Sequence, residues 1–169
     1  SFLRFESLHA QIDLSYYLRI VWGIETGHLT HPLVQAPHLL GLHLEPVLLV
    51  FALFGYLGVP LVPMLLTAQT AVVGLAAWPA YRMVLRGTES PRVALAAAVT
   101  VLLYPTVTVA TLHDFHPVTL AMAPLLGFID ALDEKRFGRA ALLAVVALSC
   151  REDIALQLAC VVALLAIAV

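Results

Sequence analysis

Apolar residues run through most of this chain, and polar residues come as short interruptions. The apolar runs cover about residues 61–85, 93–112, 117–134, 138–148 and 154–169. The interruptions carry Arg82, Arg86 and Arg92, then His113, Asp114 and His116, then Lys135, Arg136 and Arg139, then "SCRED" at 149–153. A hydrocarbon core about 30 Å thick takes roughly 20 apolar residues as helix. The first two runs meet that length alone, and the third does so only with its flanks. The stretch 138–169 is too long for one span, and SCRED divides it into two short helices.

Residues 1–60 are patterned differently. "IDLSYYLRIVWGIETG" spaces Ile12, Tyr16, Ile20 and Ile24 four apart, with Arg19 and Glu25 off that stripe. This predicts an amphipathic helix lying at a membrane interface. A His- and Pro-rich loop follows from His28 to His43, and then "EPVLLVFALFGYLGVP" (45–60), apolar but short, as a re-entrant or interfacial helix. The expectation is an all-α polytopic membrane bundle. Residues 1–60 form an external loop with juxtamembrane helices, and 61–169 form a transmembrane bundle. The pattern starts and stops mid-module, so the chain reads as one module incomplete at both ends.

Composition supports the membrane reading. The chain is 62% hydrophobic and 12% charged, where soluble domains carry about 25% charged residues. The lipid bilayer is the implied partner, and the absence of a basic stripe argues against nucleic acid. Cys150 and Cys160 lie ten apart with no CxxC spacing, so neither a disulfide framework nor a thiolate metal site is implied.

Charge then sorts the ends of the spans. Arg82, Arg86, Arg92, Lys135, Arg136 and Arg139 fall on one side, cytoplasmic by the positive-inside rule. All seven histidines, with Asp13, Glu45 and Asp114, fall on the other, and Arg151, Glu152 and Asp153 join them if SCRED turns at the outer surface. The chemistry therefore collects on an external face. "HLEP" (43–46) and "DFHP" (114–117) each pair an acid with a histidine two residues away and end in proline. Glu45 and His116 thus edge helices that start at Pro46 and Pro117. Two readings stand: the acids cap those helices, or His43, Glu45, Asp114 and His116 line a polar site, as ligands of a divalent metal or as general bases. Arg151 suits a phosphate, oriented by Glu152 or Asp153. Asp13 is either an N-cap or a catalytic carboxylate. Gln69, within a span, reads as an interhelical hydrogen-bonding residue.

The motif order resembles a known family. "FESLHAQIDLSYYLRIVWGIETG", "HLEPVLLVFALFGYLGVP", "LLTAQTAVVGLAAWPAYRMVLR", "LLYPTVTVATLHDFHPVTLAMAPLL" and "SCREDIAL" follow one another as in the domain of unknown function 2079 family. Its members are multi-pass membrane proteins of bacteria and archaea, grouped with the GT-C integral-membrane glycosyltransferases. Asp13 with Trp22, His43 with Pro46, DFHP and the acids after Arg151 carry the resemblance. The family more often has lysine at the position of Arg151 and a small polar residue at that of Glu45. The resemblance implies a GT-C-like bundle lacking its first transmembrane helix, in a prokaryotic plasma membrane with its active face outside. It implies a polyprenyl-phosphate sugar as lipid-linked donor and Asp13 as base, with Asp114, Glu152 and Asp153 as further catalytic acids. Arg151, His116 and Trp22 would bind substrate and phosphate, and Mg or Mn would be the metal. The same residues also fit a transporter or permease with an external ionisable site, or a noncatalytic lipid- or sugar-binding protein.

Overall fold

The structure is a computed structural model, and it describes residues 12–28 and 43–168. His9, His31 and His38 lie outside the described residues. The elements are helices α1 (Ile12–Thr26), α2 (Val47–Tyr56), α3 (Leu61–Leu75), α4 (Ala77–Thr88), α5 (Pro91–Leu103) and α6 (Pro105–His113). A 3-10 turn (Pro117–Ala121) leads into α7 (Met122–Asp133), α8 (Phe137–Leu148) and α9 (Ile154–Ala168). No β-strand occurs among the described residues.

The link at Ala76 keeps right-handed helical angles, so α3 and α4 run on as one helix, Leu61–Thr88. It is 28 residues long and apolar enough to cross a bilayer. The expected span at 93–112 is broken instead: α5 and α6 meet at a 45° bend. Pro105 is the cause, since it donates no N–H and holds Tyr104 out of helical angles. The Thr108 hydroxyl turns back to the Leu102 carbonyl at 3.4 Å, which offsets part of the break. The run 117–134 also departs from one helix, opening as a 3-10 turn before a 12-residue α7. As expected from SCRED, α8 and α9 are separate helices, with 12 and 15 described residues. The 12 residues of α8 fall short of a hydrocarbon core by themselves.

Packing pairs neighbours in sequence. α4 packs on α5 and α7 on α8, each as a tight hairpin, and α1 lies on α2. Ala80, Ala94 and Ala98 are buried at the α4–α5 hairpin, where small side chains let helices approach closely. Gly58 turns the chain from α2 into α3 with φ +86, an angle that suits glycine.

The α1 stripe is not the one the spacing suggests. The buried residues are Leu14, Tyr17, Ile20, Val21 and Gly23, whereas Ile12 is 82% exposed. Residues four apart advance by about 40° per step at 100° per residue. The row Ile12, Tyr16, Ile20, Ile24 therefore winds around the helix, and only its later members reach the packed face.

The basic end is an ion-pair cluster. Asp130 on α7 is fully buried, 2.8 Å from Arg86 Nη2 and 3.6 Å from Arg82 Nη1. Asp133 joins Arg86 at 2.7 Å, and Glu134 joins Arg82. Arginines that act as topology signals in the sequence are thus also the glue between α4 and α7.

Candidate functional site at the acid–imidazole end

α1 presents Asp13 in its first turn, and the extended segment 114–116 presents His116. His116 Nε2 lies 3.0 Å from Asp13 Oδ2, with the histidine side chain 33% and the aspartate 50% exposed. These two residues are 103 apart in sequence, so only the fold makes the pair. The other imidazole nitrogen, Nδ1, is buried and has no hydrogen-bond partner in the protein.

A second acid–imidazole pair stands nearby. His43 Nδ1 is 2.9 Å from Glu152 Oε1, and the Leu44 N–H donates to Glu152 Oε2 at 2.8 Å. The hydrogen bond from His43 and that from the Leu44 N–H hold the Glu152 carboxyl down at about 2. Arg151 Nη2 sits 3.4 Å from His43 Nε2, and its Nε lies 3.4 Å from Asp153. The backbone ties the same junction together, with the Val47 N–H donating to the Ser149 carbonyl at 2.8 Å.

Tyr17 links α1 to the HLEP segment. It follows Asp13 by four residues on α1, one helical turn away. Its hydroxyl donates to Glu45 Oε1 at 3.3 Å, and its ring meets Phe115 edge-on at 5.6 Å. Phe51 packs on the other edge of Phe115 at 5.9 Å, so an aromatic core lies directly beneath the polar groups. Glu45 is only 2% exposed. Burial pushes its carboxyl up to about 7, against the opposing pull of His43, the Tyr17 hydroxyl and Arg151.

Helix capping by these acids, one of the two readings of the motifs, is not what the side chains do. Neither Glu45 nor Asp114 makes a side-chain cap. Asp114 Oδ1 takes the N–H of its own neighbour, Phe115, at 3.0 Å, and Oδ2 is buried without a partner. The segment is held instead by Gln69 on α3, whose Oε1 accepts the His116 N–H at 2.8 Å. Sequence reading placed Gln69 in an interhelical hydrogen bond and left it outside the site. Its proximity to DFHP has no local signal, because 47 residues separate Gln69 from His116. Tyr17 was likewise missed, hidden in a pattern that reads as amphipathic surface.

The four residues expected to share a metal are divided. His43 pairs with Glu152, Glu45 with Tyr17, and His116 with Asp13, while Asp114 is buried and accepts the Phe115 N–H. No group of three His, Cys, Asp or Glu side chains placed to hold a metal ion occurs among the described residues. Each acid–imidazole pair offers two donors, too few for the three protein ligands of a catalytic zinc-type site. Trp22 is also apart. It is 51% exposed and stacks on His28 at 5.7 Å. Nine residues, or two and a half helical turns, set Trp22 on the face of α1 opposite Asp13.

The arrangement suits acid–base work. Asp13, half-exposed and oriented by an imidazole, can accept a proton, and the Arg151 guanidinium beside His43 can attract an anion. Comparison with known proteins adds a family and nothing finer. No curated protein and no solved structure matches the chain. The family described as "Predicted membrane protein (DUF2079)" matches residues 4–168. A helix able to cross a bilayer, an apolar composition and a match over almost the whole length agree, and the chain belongs to this family of predicted membrane proteins.

Proposed function

We propose that the chain is the external-face module of a membrane glycosyltransferase that takes its sugar from a polyprenyl-phosphate donor. The Asp13–His116 pair at 3.0 Å carries this reading. In it, Asp13 is the base that takes the acceptor hydroxyl proton, and His116 donates from Nε2 to hold the carboxylate in place. Arg151, with Glu152 and Asp153 orienting it, draws the leaving phosphate, where positive charge stabilises the transition state most. The face carrying these groups is outside in a polytopic bundle in the plasma membrane, since the six basic residues of the span ends lie at the opposite side. The donor set described above does not fit a bound metal, and no step is routed through one.

The test uses the full-length protein in nanodiscs with radiolabelled polyprenyl-phosphate sugars. Asp13→Asn should cut sugar release or transfer by at least about 100-fold, the scale of lost general-base catalysis, with the melting temperature unchanged. Transfer at the wild-type rate in that variant would remove Asp13 as the base. EDTA should leave transfer intact.

One observation favours a second reading. Glu45 is a buried carboxyl that titrates near neutral pH, as a proton-coupled transporter requires. Substrate flux into proteoliposomes that stops in Glu45→Gln, without any sugar transfer, would replace the first reading with this one. Lipid binding that survives both variants with neither flux nor product would mark a noncatalytic binding protein.

A further inference from the structure

The chain leaves helical geometry between α6 and the 3-10 turn, and that gap holds the candidate catalytic imidazole. Asp114 and His116 are extended, with φ −160 and −136. A break of this kind leaves carbonyls at the end of one helix and N–H groups at the start of the next without partners. In water the solvent would satisfy them. In a bilayer it cannot, so such groups need partners within the protein.

With the long helix α3–α4 standing along the bilayer normal, its length sets how deep the break lies. Gln69 is thirteen residues from Arg82, about 20 Å at helical rise. With Arg82 at the inner edge of a core about 30 Å thick, Gln69 lies about 10 Å beneath the outer boundary. With Arg86 at that edge, it lies about 5 Å beneath. The extended segment sits at the same level, because Gln69 bonds to it.

Gln69 is 1% exposed, and both ends of its amide are used. Nε2 donates to the Asp114 carbonyl at 2.8 Å and to the Thr111 carbonyl at 3.4 Å. Oε1 accepts the His116 N–H at 2.8 Å and the Thr119 hydroxyl at 2.9 Å. The donating end therefore serves the helix that stops, and the accepting end serves the helix that starts. Only a primary amide offers two donors and an acceptor with two lone pairs in one side chain. Leucine has similar bulk and none of these bonds.

We infer that Gln69 is a positioning residue, whose amide, bonded at both ends to the segment from Thr111 to Thr119, holds His116 against Asp13. Its consequence for turnover rests on the catalytic reading of that pair, while its effect on His116 does not. The two are separated by measuring both in the full-length protein in nanodiscs. Carbethoxylation of each histidine by diethylpyrocarbonate, followed by peptide mass mapping, reports on the imidazoles one at a time. Gln69→Leu should raise modification of His116 by about five-fold, the weight of one hydrogen bond. His43 should react as before, because its partner Glu152 does not depend on Gln69. Transfer should lose roughly 100-fold in kcat, the scale of a 1 Å misplacement, with KM nearly unchanged. Gln69→Asn keeps the polarity and withdraws the amide by one methylene. It should free His116 in the same way and stands in if the leucine variant does not fold. His116 reactivity equal to wild type in a variant that melts like wild type would overturn the inference. A freed His116 with undiminished transfer would uphold it and remove the Asp13–His116 pair from catalysis.

Discussion

Glu45 shows how far one residue's chemistry depends on its surroundings. An exposed glutamate titrates near 4.5, and burial raises this one to about 7 against the pull of His43 and the Tyr17 hydroxyl. Between those values the folded protein holds a proton that the unfolded chain has released. Stability must then fall as pH rises through this window, because the native state binds more protons than the unfolded state. The stabilisation is fully present below about 4.5 and lost as pH passes about 7. Melting temperatures in detergent should decline from pH 5 to pH 7, and Glu45→Gln should flatten that decline. An equal slope in the variant would mean that another group titrates. Asp130 makes the same point at the opposite end. Nothing in "GFIDALD" distinguishes Asp130 from Asp133, yet Asp130 is fully buried between two arginines, and the side chain of Asp133 is 58% exposed.

At the scale of elements, composition was a good guide to where helices lie and a poorer one to their continuity. The 61–85 run is a single long helix, as its unbroken apolar pattern implies. The 93–112 run is equally apolar but bends at Pro105, because proline breaks a helix without changing how apolar the run is. The depth of α3–α4 can be checked by quenching tryptophan with brominated lipids. With Trp22 changed to Phe, and with Arg82 at the inner edge and Trp78 about 6 Å from it, Trp78 should be quenched best by bromines close to the headgroup. A tryptophan placed at exposed Ala71, with Trp78 also changed to Phe, should be quenched best by bromines close to the bilayer centre. Equal depth for the two would mean that α3–α4 lies along the membrane, and Gln69 would then sit at its surface.

At the scale of the molecule, the two ends differ in kind. One end gathers arginines with Asp130, Asp133 and Glu134, and the other gathers imidazoles with Asp13, Glu45 and Glu152. With Cys160 changed to Ala, a cysteine at Asp153 should react with a membrane-impermeant maleimide added outside intact cells. A cysteine at Arg136 should react only after the cells are permeabilised. The reverse pattern would invert the orientation and move the candidate site to the cytoplasm.

The sequence by itself determined the medium, the helical class and the sorting of charge. Those follow from local composition, since a run of apolar residues has the same affinity for hydrocarbon whatever it packs against. It also nominated Asp13, His43, His116 and Glu152, by residue type and by a shared side of the membrane. Only the tertiary structure decided that His116 meets Asp13 while His43 meets Glu152, a division that separates the four expected metal ligands. It also buried Asp130 and brought Gln69 to the break at DFHP. These outcomes join residues between 44 and 109 positions apart. Pairings at that range depend on how helices rotate and stack, and a one-residue turn of α1, about 100°, would have chosen different partners from the same sequence.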